Sequence, residues 1–458
     1  MNRVTNRAWI MLVFILALVG GMTFFVGEYF LKSEQWVLFT GSPHVYEQSS
    51  IGTVVVSDRD GTVLLDTTDG RVYAEDAAIR QATLHWMGDR QGNISTQVVG
   101  HYTKEVAGYD QLNGVYTYGA GDSKASLTLS SRVQTVALEA MAGRKGTVAV
   151  YNYKTGEILC AVTPPVFDPD NVPDIYGDTT GAYEGIFLNR FVQSAYIPGS
   201  IFKVVTTAAA LDSVPNIMDK TFTCTGVYQF GIDRVTCETA HGTLNLKTAL
   251  TRSCNCSFAQ IAQLIGKDTM MKYVEQYQIT QSVSFDGITT VRGNYDVTRA
   301  APVQLAWSCI GQHTDQINPC RYMTFMGAIA GGGAGAEPYM VSRISVGEDV
   351  TYEAQTKLGT RIMSEELAAT MQEFMRNNVV NNYGAEHFPG LTVCAKSGTS
   401  ELGGGKAPNA MFTGFVMDEN YPLAFIVVVE NGGYGSATCV PIISKVLAEC
   451  KNVLDGVS

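Results

Sequence analysis

The pattern of apolar and polar positions divides the chain before any motif is considered. No charged residue interrupts Ala8 to Val26, about the length that a helix needs to cross a bilayer. Arg3 and Arg7 precede this segment, and Glu28 and Lys32 follow it, which predicts a cytoplasmic N-terminus. The segment is long for the apolar core of a cleaved signal peptide and no A-x-A site follows Val26, so an uncleaved anchor is expected. Beyond it, Gly52 to Val56, Gly61 to Asp66 and Gly114 to Gly119 alternate between Gly and Asp turns and predict short strands. Thr147 to Tyr153 and Glu157 to Val162 predict longer strands around a Lys154-Thr155-Gly156 turn. Val204 to Leu211 is an apolar run after Pro198-Gly199, the pattern of a turn opening a buried helix. Leu244 to Thr251 and Phe258 to Ile265 read as two further helices with a break between them. Strand-like runs return at Leu391 to Ala395, Met411 to Val416 and Leu423 to Val429, and Val440 to Leu454 reads as a closing amphipathic helix. Strands near both ends with helices between them suit a sheet assembled from distant segments.

Composition narrows this picture a little. A chain of 458 residues is long enough for two domains, and a charged content of 16% fits a large core. The net charge of −11, from 43 acidic and 32 basic residues, argues against nucleic-acid binding by a broad basic face.

Three short motifs in fixed order carry the chemistry: Ser200-Ile201-Phe202-Lys203, Ser253-Cys254-Asn255 and Lys396-Ser397-Gly398-Thr399. They read as SxxK, SxN and K[ST]G. Ser200 would lie in the first turn of the predicted helix, where free N–H groups favour a developing oxyanion. Lys203, three residues on, shares a helix face with Ser200, and a lysine among apolar neighbours can act as a neutral base. Ser253 sits in the break between two helices, where its hydroxyl could relay a proton. Asn255 offers both a donor and an acceptor for a substrate peptide bond. Lys396 with the hydroxyls of Ser397 and Thr399 suits a carboxylate, Gly398 leaves room for a substrate backbone, and the N–H groups of Ser200 and Thr399 form the expected oxyanion hole. The earlier Lys154-Thr155-Gly156 lies in a hairpin turn before the serine motif and is assigned no chemistry. G-x-S-x-G is missing and none of the six histidines sits in a triad motif, which disfavours a Ser-His-Asp hydrolase.

From about Ser126 to the C-terminus the chain resembles the transpeptidase domain of class B penicillin-binding proteins. The resemblance rests on the three motifs and on further landmarks. These are Val133-Gln134, Lys154-Thr155-Gly156-Glu157, Pro165-Val166-Phe167-Asp168-Pro169-Asp170, Asn189-Arg190, Ile197-Pro198-Gly199-Ser200 and Ala301-Pro302-Val303-Gln304-Leu305-Ala306. Asp58-Arg59-Asp60-Gly61 resembles a short motif of the family's N-terminal pedestal, although Ile51 stands where an arginine commonly precedes the glycine. The fold so implied is α+β: an antiparallel sheet of about five strands with helices on both faces, preceded by a small β-rich pedestal and one transmembrane helix. The expected division is a cytoplasmic tail over 1–7, an anchor over 8–26, a pedestal over 27–125 and a transpeptidase domain over 126–458. The segment before the catalytic domain is too short for a pedestal plus a glycosyltransferase domain, which argues against a bifunctional class A enzyme.

The implied activity is a peptidoglycan D,D-transpeptidase at the extracytoplasmic face of the cell membrane. Ser200 would be acylated by the penultimate D-alanine of a stem peptide, with Lys203 as base and Ser253 as relay, and an amine of a neighbouring stem peptide would complete the crosslink. No metal or other cofactor is needed. β-Lactams would acylate Ser200, and a membrane glycosyltransferase is the implied partner class. The alternatives are water as acceptor, giving a D,D-carboxypeptidase or β-lactamase, a scaffold for a membrane polymerase, and a β-lactam sensor. The last lacks a signalling region in the short N-terminal tail.

Ten cysteines are many for an exported enzyme. Cys224 and Cys237 precede His241-Gly242, a spacing the family shares. The three residues are compatible with a disulfide, with free thiols, or with three ligands of a zinc site that needs a fourth. Cys254, Cys256 and Cys394 read as small buried packing residues.

Overall fold

The computed structural model describes residues 2–37, 53–102, 105–106, 109–110, 115–116 and 123–457. Asn2–Val37 forms one helix, and its stretch Val4–Ser33 is long and apolar enough to cross a membrane, with a mean hydropathy of 2.5 over an 18-residue window of which no residue is buried. Leu18 and Phe24 are among the large apolar side chains it leaves exposed. A helix that is apolar all round needs an apolar environment, and the described residues supply none along the exposed apolar stretch.

The central sheet has five antiparallel strands in the order Val393–Ser400, Asn409–Val416, Leu423–Val429, Gly146–Asn152, Ile158–Val162. It joins distant segments as the two-ended strand pattern suggested, because helices cover both of its faces. Met411, Ile426 and Ala149 point into one core with the helix Pro319–Ala330. Phe412, Val427 and Val148 point into the other, with the helices Ser131–Met141 and Gly435–Leu454. Strands buried on both faces need not alternate with polar residues, which is why Leu423–Val429 is apolar throughout. The Ile158–Val162 edge is closed by side chains. Ala161 N–H donates to Gln134 Oε1 at 2.7 Å, and Trp86 Nε1 donates to Ala161 O at 2.6 Å, so the Val133-Gln134 landmark protects a sheet edge.

A second sheet has six strands in the order Asp349–Glu353, Val341–Val346, Ser123–Leu127, Val54–Ser57, Val63–Asp66, Val72–Tyr73. The division expected at 125/126 falls inside Ser123–Leu127, and residues 341–353, expected within the catalytic part, complete the N-terminal sheet. Period-two patterning marks a strand but says nothing of its distant partner. Within this region Asp58 is buried and accepts N–H bonds from Asp60, Thr62 and Ser131, so the Asp58-Arg59-Asp60-Gly61 motif ties the sheet to the start of the Ser131–Met141 helix. The predicted strands at Gly52 to Val56 and Gly61 to Asp66 correspond to Val54–Ser57 and Val63–Asp66. Of Gly114 to Gly119, Val115–Tyr116 pairs with Tyr109–Asp110. Ile51, Gly52, Gly114 and residues 117–119 lie outside the described residues.

Several helix starts differ from the sequence pattern, the closing helix among them, which begins at Gly435 rather than Val440. Gly242–Asn245 is a strand paired with Thr221–Cys224, and the helix begins only at Leu246 because Asn245 caps it, accepting from Thr248 N–H at 2.9 Å. The next helix runs Asn255–Ile265, three residues longer at its start than the apolar run, with the Cys254 sulfur accepting from Ser257 N–H at its N-terminus.

Candidate active site

Pro198-Gly199 leads into a 3-10 turn, Gly199–Phe202, that continues as the helix Lys203–Ser213. Gly199 has φ +56°, and a Cβ there would lie 2.4 Å from the Thr399 carbonyl oxygen. Only glycine lets this turn rest against the Val393–Ser400 strand. Ser200 therefore stands in a first helical turn, whose N–H groups have no intrahelical acceptor.

Lys203 is fully buried. Its Nζ lies 3.0 Å from Ser200 Oγ, 3.2 Å from Ser253 Oγ, 2.7 Å from Ser253 O and 2.7 Å from Asn255 Oδ1. Loss of hydration, and then the charge of Lys396, push its pKa down to about 7. Burial does the same to Lys396, whose Nζ donates to Ser253 Oγ at 3.0 Å and to Ser397 O at 2.7 Å. One hydroxyl thus bridges two buried amines that do not both hold a full proton complement near neutrality. A neutral Lys203 has a lone pair to receive the Ser200 proton. Ser253 reaches this position with φ +51°, a strained backbone for a non-glycine residue, which turns both its carbonyl and its hydroxyl onto Lys203.

Asn255 is already engaged: its Oδ1 accepts from Lys203, and its Nδ2 donates to Thr236 O at 2.9 Å. One amide N–H is left for a substrate. The strand Val393–Ser400 is an edge, and side chains cover its outer groups in succession. Arg376 Nη1 donates to Val393 O at 2.9 Å, Asn378 Nδ2 donates to Ala395 O at 3.0 Å, and Ser397 N–H donates to the Tyr383 hydroxyl at 2.9 Å. Outward-facing positions alternate along a strand, so Thr399 is the next, and its carbonyl faces Gly199. Its N–H shares that side, next to the Ser200 turn, as an oxyanion hole requires.

The hydroxyls of Ser397 and Thr399 are held by the protein itself. Ser397 Oγ lies 3.0 Å from the Tyr383 hydroxyl, and Thr399 Oγ1 accepts from Gly435 N–H at 3.2 Å. At Gly398 a Cβ would lie 2.9 Å from Pro198 O and from Ile201 Cγ2, so the missing side chain makes room for the nucleophile turn. Lys154-Thr155-Gly156 is a turn in which Asn152 Oδ1 accepts from both Lys154 and Thr155 N–H, a structural role.

The ten cysteines are free thiols. Cys224, Cys237 and His241 converge, but the first two do not face each other as a disulfide pair: Cys224 Sγ lies 3.5 Å from His241 Nδ1, and Cys237 Sγ lies 3.7 Å from Cys254 Sγ. Cys254, expected to be a packing residue, joins them. Arg376, Asn378, Tyr383 and Thr236 also escaped the sequence reading, since their roles arise from backbone contacts across long separations. No local signal marks them.

Comparison with known proteins agrees with this geometry. Residues 146–448 match the penicillin binding protein transpeptidase domain. The chain is 25% identical over 404 residues to stage V sporulation protein D of Bacillus subtilis, covering 82% of this chain and 59% of that one. It is 26% identical over 349 residues to the peptidoglycan D,D-transpeptidase PbpA of Mycolicibacterium smegmatis, covering 69% of this chain and 70% of that protein. Its fold is similar to that of penicillin-binding protein A from M. tuberculosis, seen as a ceftriaxone acyl-enzyme complex. The TM-score is 0.74 at 22% identity, covering 87% of this chain and 98% of the other.

Proposed function

The chain belongs to the penicillin-binding protein transpeptidase family, in its class B branch, and on that premise we propose that it crosslinks peptidoglycan stem peptides through a Ser200 acyl-enzyme. The observation that carries the proposal is the contact of one buried amine, Lys203 Nζ, with both Ser200 Oγ at 3.0 Å and Ser253 Oγ at 3.2 Å.

In the first half-reaction neutral Lys203 takes the Ser200 proton as Oγ bonds to the carbonyl carbon of the penultimate D-alanine. The N–H groups of Ser200 and Thr399 receive the oxyanion. As the peptide C–N bond breaks, the departing D-alanine nitrogen takes the Ser253 hydroxyl proton, and Lys203 returns its proton to Ser253. In the second half the amine of a neighbouring stem peptide attacks the ester and gives up its proton through Ser253 to Lys203, and Ser200 leaves reprotonated. Lys396 polarises the Ser253 hydroxyl throughout. Its charge, with the Ser397 and Thr399 hydroxyls at the strand edge, attracts the terminal carboxylate of the donor peptide. A β-lactam follows the first half-reaction, but its leaving nitrogen stays tethered and the ester persists.

The same reading has Asn2–Val37 as a membrane anchor with its N-terminus in the cytoplasm, supported by Arg3 and Arg7 ahead of the apolar stretch. The N-terminal sheet then acts as a pedestal holding the catalytic sheet outside the membrane, where a membrane glycosyltransferase would supply glycan strands. The test is reconstitution of the full chain in detergent with uncrosslinked glycan strands bearing D-Ala-D-Ala stem peptides. Crosslinked muropeptides that vanish in Ser200→Ala support transpeptidation. Release of D-alanine without crosslinks assigns the acceptor role to water, and no release at all turns the protein into a scaffold.

A further inference from the structure

The helix Pro319–Ala330 covers one face of the catalytic sheet and also walls a cavity that the acyl-transfer chemistry does not use. The cavity measures about 370 Å³, within the range of small-molecule sites. Arg321, Thr324, Phe325 and Ala328 of this helix line it, at the i, i+3, i+4, i+7 spacing of one helix face. Tyr277, which ends the helix Lys267–Gln276, and residues 282–284 form a second wall. Residues 335–338 and 359–362 complete it, joined where Gly359 N–H donates to Gly335 O at 2.9 Å. None of its described lining residues belongs to the three motifs. On another face of the same helix the Tyr322 hydroxyl donates to Ile201 O at 2.8 Å, so the cavity lies one helix behind the nucleophile turn.

Two polar groups of this cavity lack the partners that burial demands. Among the described residues Arg321 reaches neutral acceptors alone: Nε donates to Gln281 O at 3.3 Å, Nη1 to Gln278 Oε1 at 3.3 Å and Nη2 to Ser282 O at 3.2 Å. Three of its five N–H groups are used, and each terminal nitrogen keeps one. Loss of hydration lowers its pKa, whereas buried charges are ordinarily paired with an opposite charge. Tyr277 is 1% exposed, and its hydroxyl has no hydrogen-bond partner. Buried polar groups are rarely left in that state.

The cavity also carries a negative charge. Glu337 lines it and is exposed, and its carboxylate acts on Arg321 through space without forming an ion pair with it. A cation and an anion that share a cavity without meeting are matched by a ligand that bears both opposite charges. The rest of the lining has an apolar part: the rings of Tyr277 and Phe325 lie 5.9 Å apart, and Ala328 follows Phe325 along the same helix face.

We propose that this cavity binds a free amino acid with an apolar side chain, its carboxylate against Arg321 and the Tyr277 hydroxyl and its ammonium against Glu337. The two N–H groups left on Arg321 match the two oxygens of a carboxylate, and the Tyr277 hydroxyl supplies a third donor. Binding is non-covalent and leaves Ser200 untouched, so the site does not depend on the acyl-transfer reading.

The test is equilibrium dialysis of the full chain, solubilised in detergent, against radiolabelled D- and L-leucine and D- and L-phenylalanine. At least one of the four should bind saturably at one per chain. Its amide, which lacks the carboxylate, and its N-acetyl derivative, which lacks the ammonium, should each bind about tenfold or more weakly. Arg321→Met should erase the preference for acid over amide, and Glu337→Gln should erase the preference for the free over the acetylated amine. Glu337 is exposed, so its variant decides the matter if Arg321→Met fails to fold. Prior treatment with penicillin should leave the affinity unchanged. Failure of all four probes to bind saturably, equal binding of acid, amide and N-acetyl forms, or loss of binding after penicillin treatment overturns the proposal. The dialysis and its two variants do not involve Ser200, so they stand or fall independently of transpeptidation.

Discussion

Lys396 Nζ donates to Ser253 Oγ at 3.0 Å, on the hydroxyl that also meets Lys203 Nζ at 3.2 Å. The two lysines come from separate motifs and share one relay group, and after burial the charge of Lys396 lowers the Lys203 pKa further.

Replacing Lys203 by Ala or Arg should lower the rate of acylation by a fluorescent penicillin by about 100- to 10,000-fold, the usual contribution of a positioned base. Arginine fails as alanine does because it stays protonated. Stopped-flow labelling of the detergent-solubilised chain measures this, and near-normal acylation of Lys203→Arg would contradict the role of Lys203 as base.

The acylation rate should rise with pH through about 7 as Lys203 loses its proton, then level off. Lys396→Gln removes a like charge that depresses the Lys203 pKa, so the rising limb should move to higher pH. Stability carries the matching sign. Both lysines have folded pKa values near 7, below those of the unfolded chain. Between the two values the unfolded state binds more protons, and stability rises with pH. Thermal unfolding between pH 7 and 10 should show this slope, reduced in Lys203→Met.

Gly199→Ala would put a methyl carbon 2.4 Å from the Thr399 carbonyl oxygen at φ +56°. The turn and the strand must separate, at a cost of about 1–3 kcal/mol, and the oxyanion donors move apart. Acylation should drop more steeply than the unfolding midpoint does. Equal acylation in the variant would show that the close approach is not needed.

Tyr383→Phe removes the hydroxyl that receives Ser397 N–H and lies 3.0 Å from Ser397 Oγ. Leaving a partly buried donor unpaired beside the site should slow acylation by about tenfold, while Ser200 remains labelled at long times. An unchanged rate would place Tyr383 outside the machinery.

Arg190 is almost fully buried, with its Nε donating to Glu430 Oε1 at 2.8 Å and its Nη1 donating to Gly185 O at 2.9 Å. Tyr196 donates to the same carboxylate oxygen at 2.9 Å. Arg190→Met should destabilise the protein by about 3 kcal/mol, because a partly buried carboxylate loses its cation. Denaturant midpoints measure this, and no change would mean that solvent screens the pair.

What could be read from sequence was local. The three motifs, the hairpin nature of Lys154-Thr155-Gly156 and the apolar strands each depend on neighbouring residues, and they fold as strands, helices and turns of the expected kind. What could not be read depends on pairing across the chain. The N-terminal sheet recruits Val341–Val346, Tyr383 reaches Ser397 from a separate helical turn, and Gly398 packs against Pro198 and Ile201. Cys254 looked like packing because its partners Cys224, Cys237 and His241 meet it only once two ribbons have folded over the SxN loop.

The central claim is that Ser200 becomes acylated with Lys203 as base. The most direct measurement is incubation of the solubilised chain with a fluorescent penicillin, followed by peptide mass analysis of the adduct, with Ser200→Ala as control. The account predicts one stable ester on the peptide containing Ser200, absent from the control and slow to form in Lys203→Ala. An adduct on another residue, or no adduct on folded wild-type protein, would contradict it.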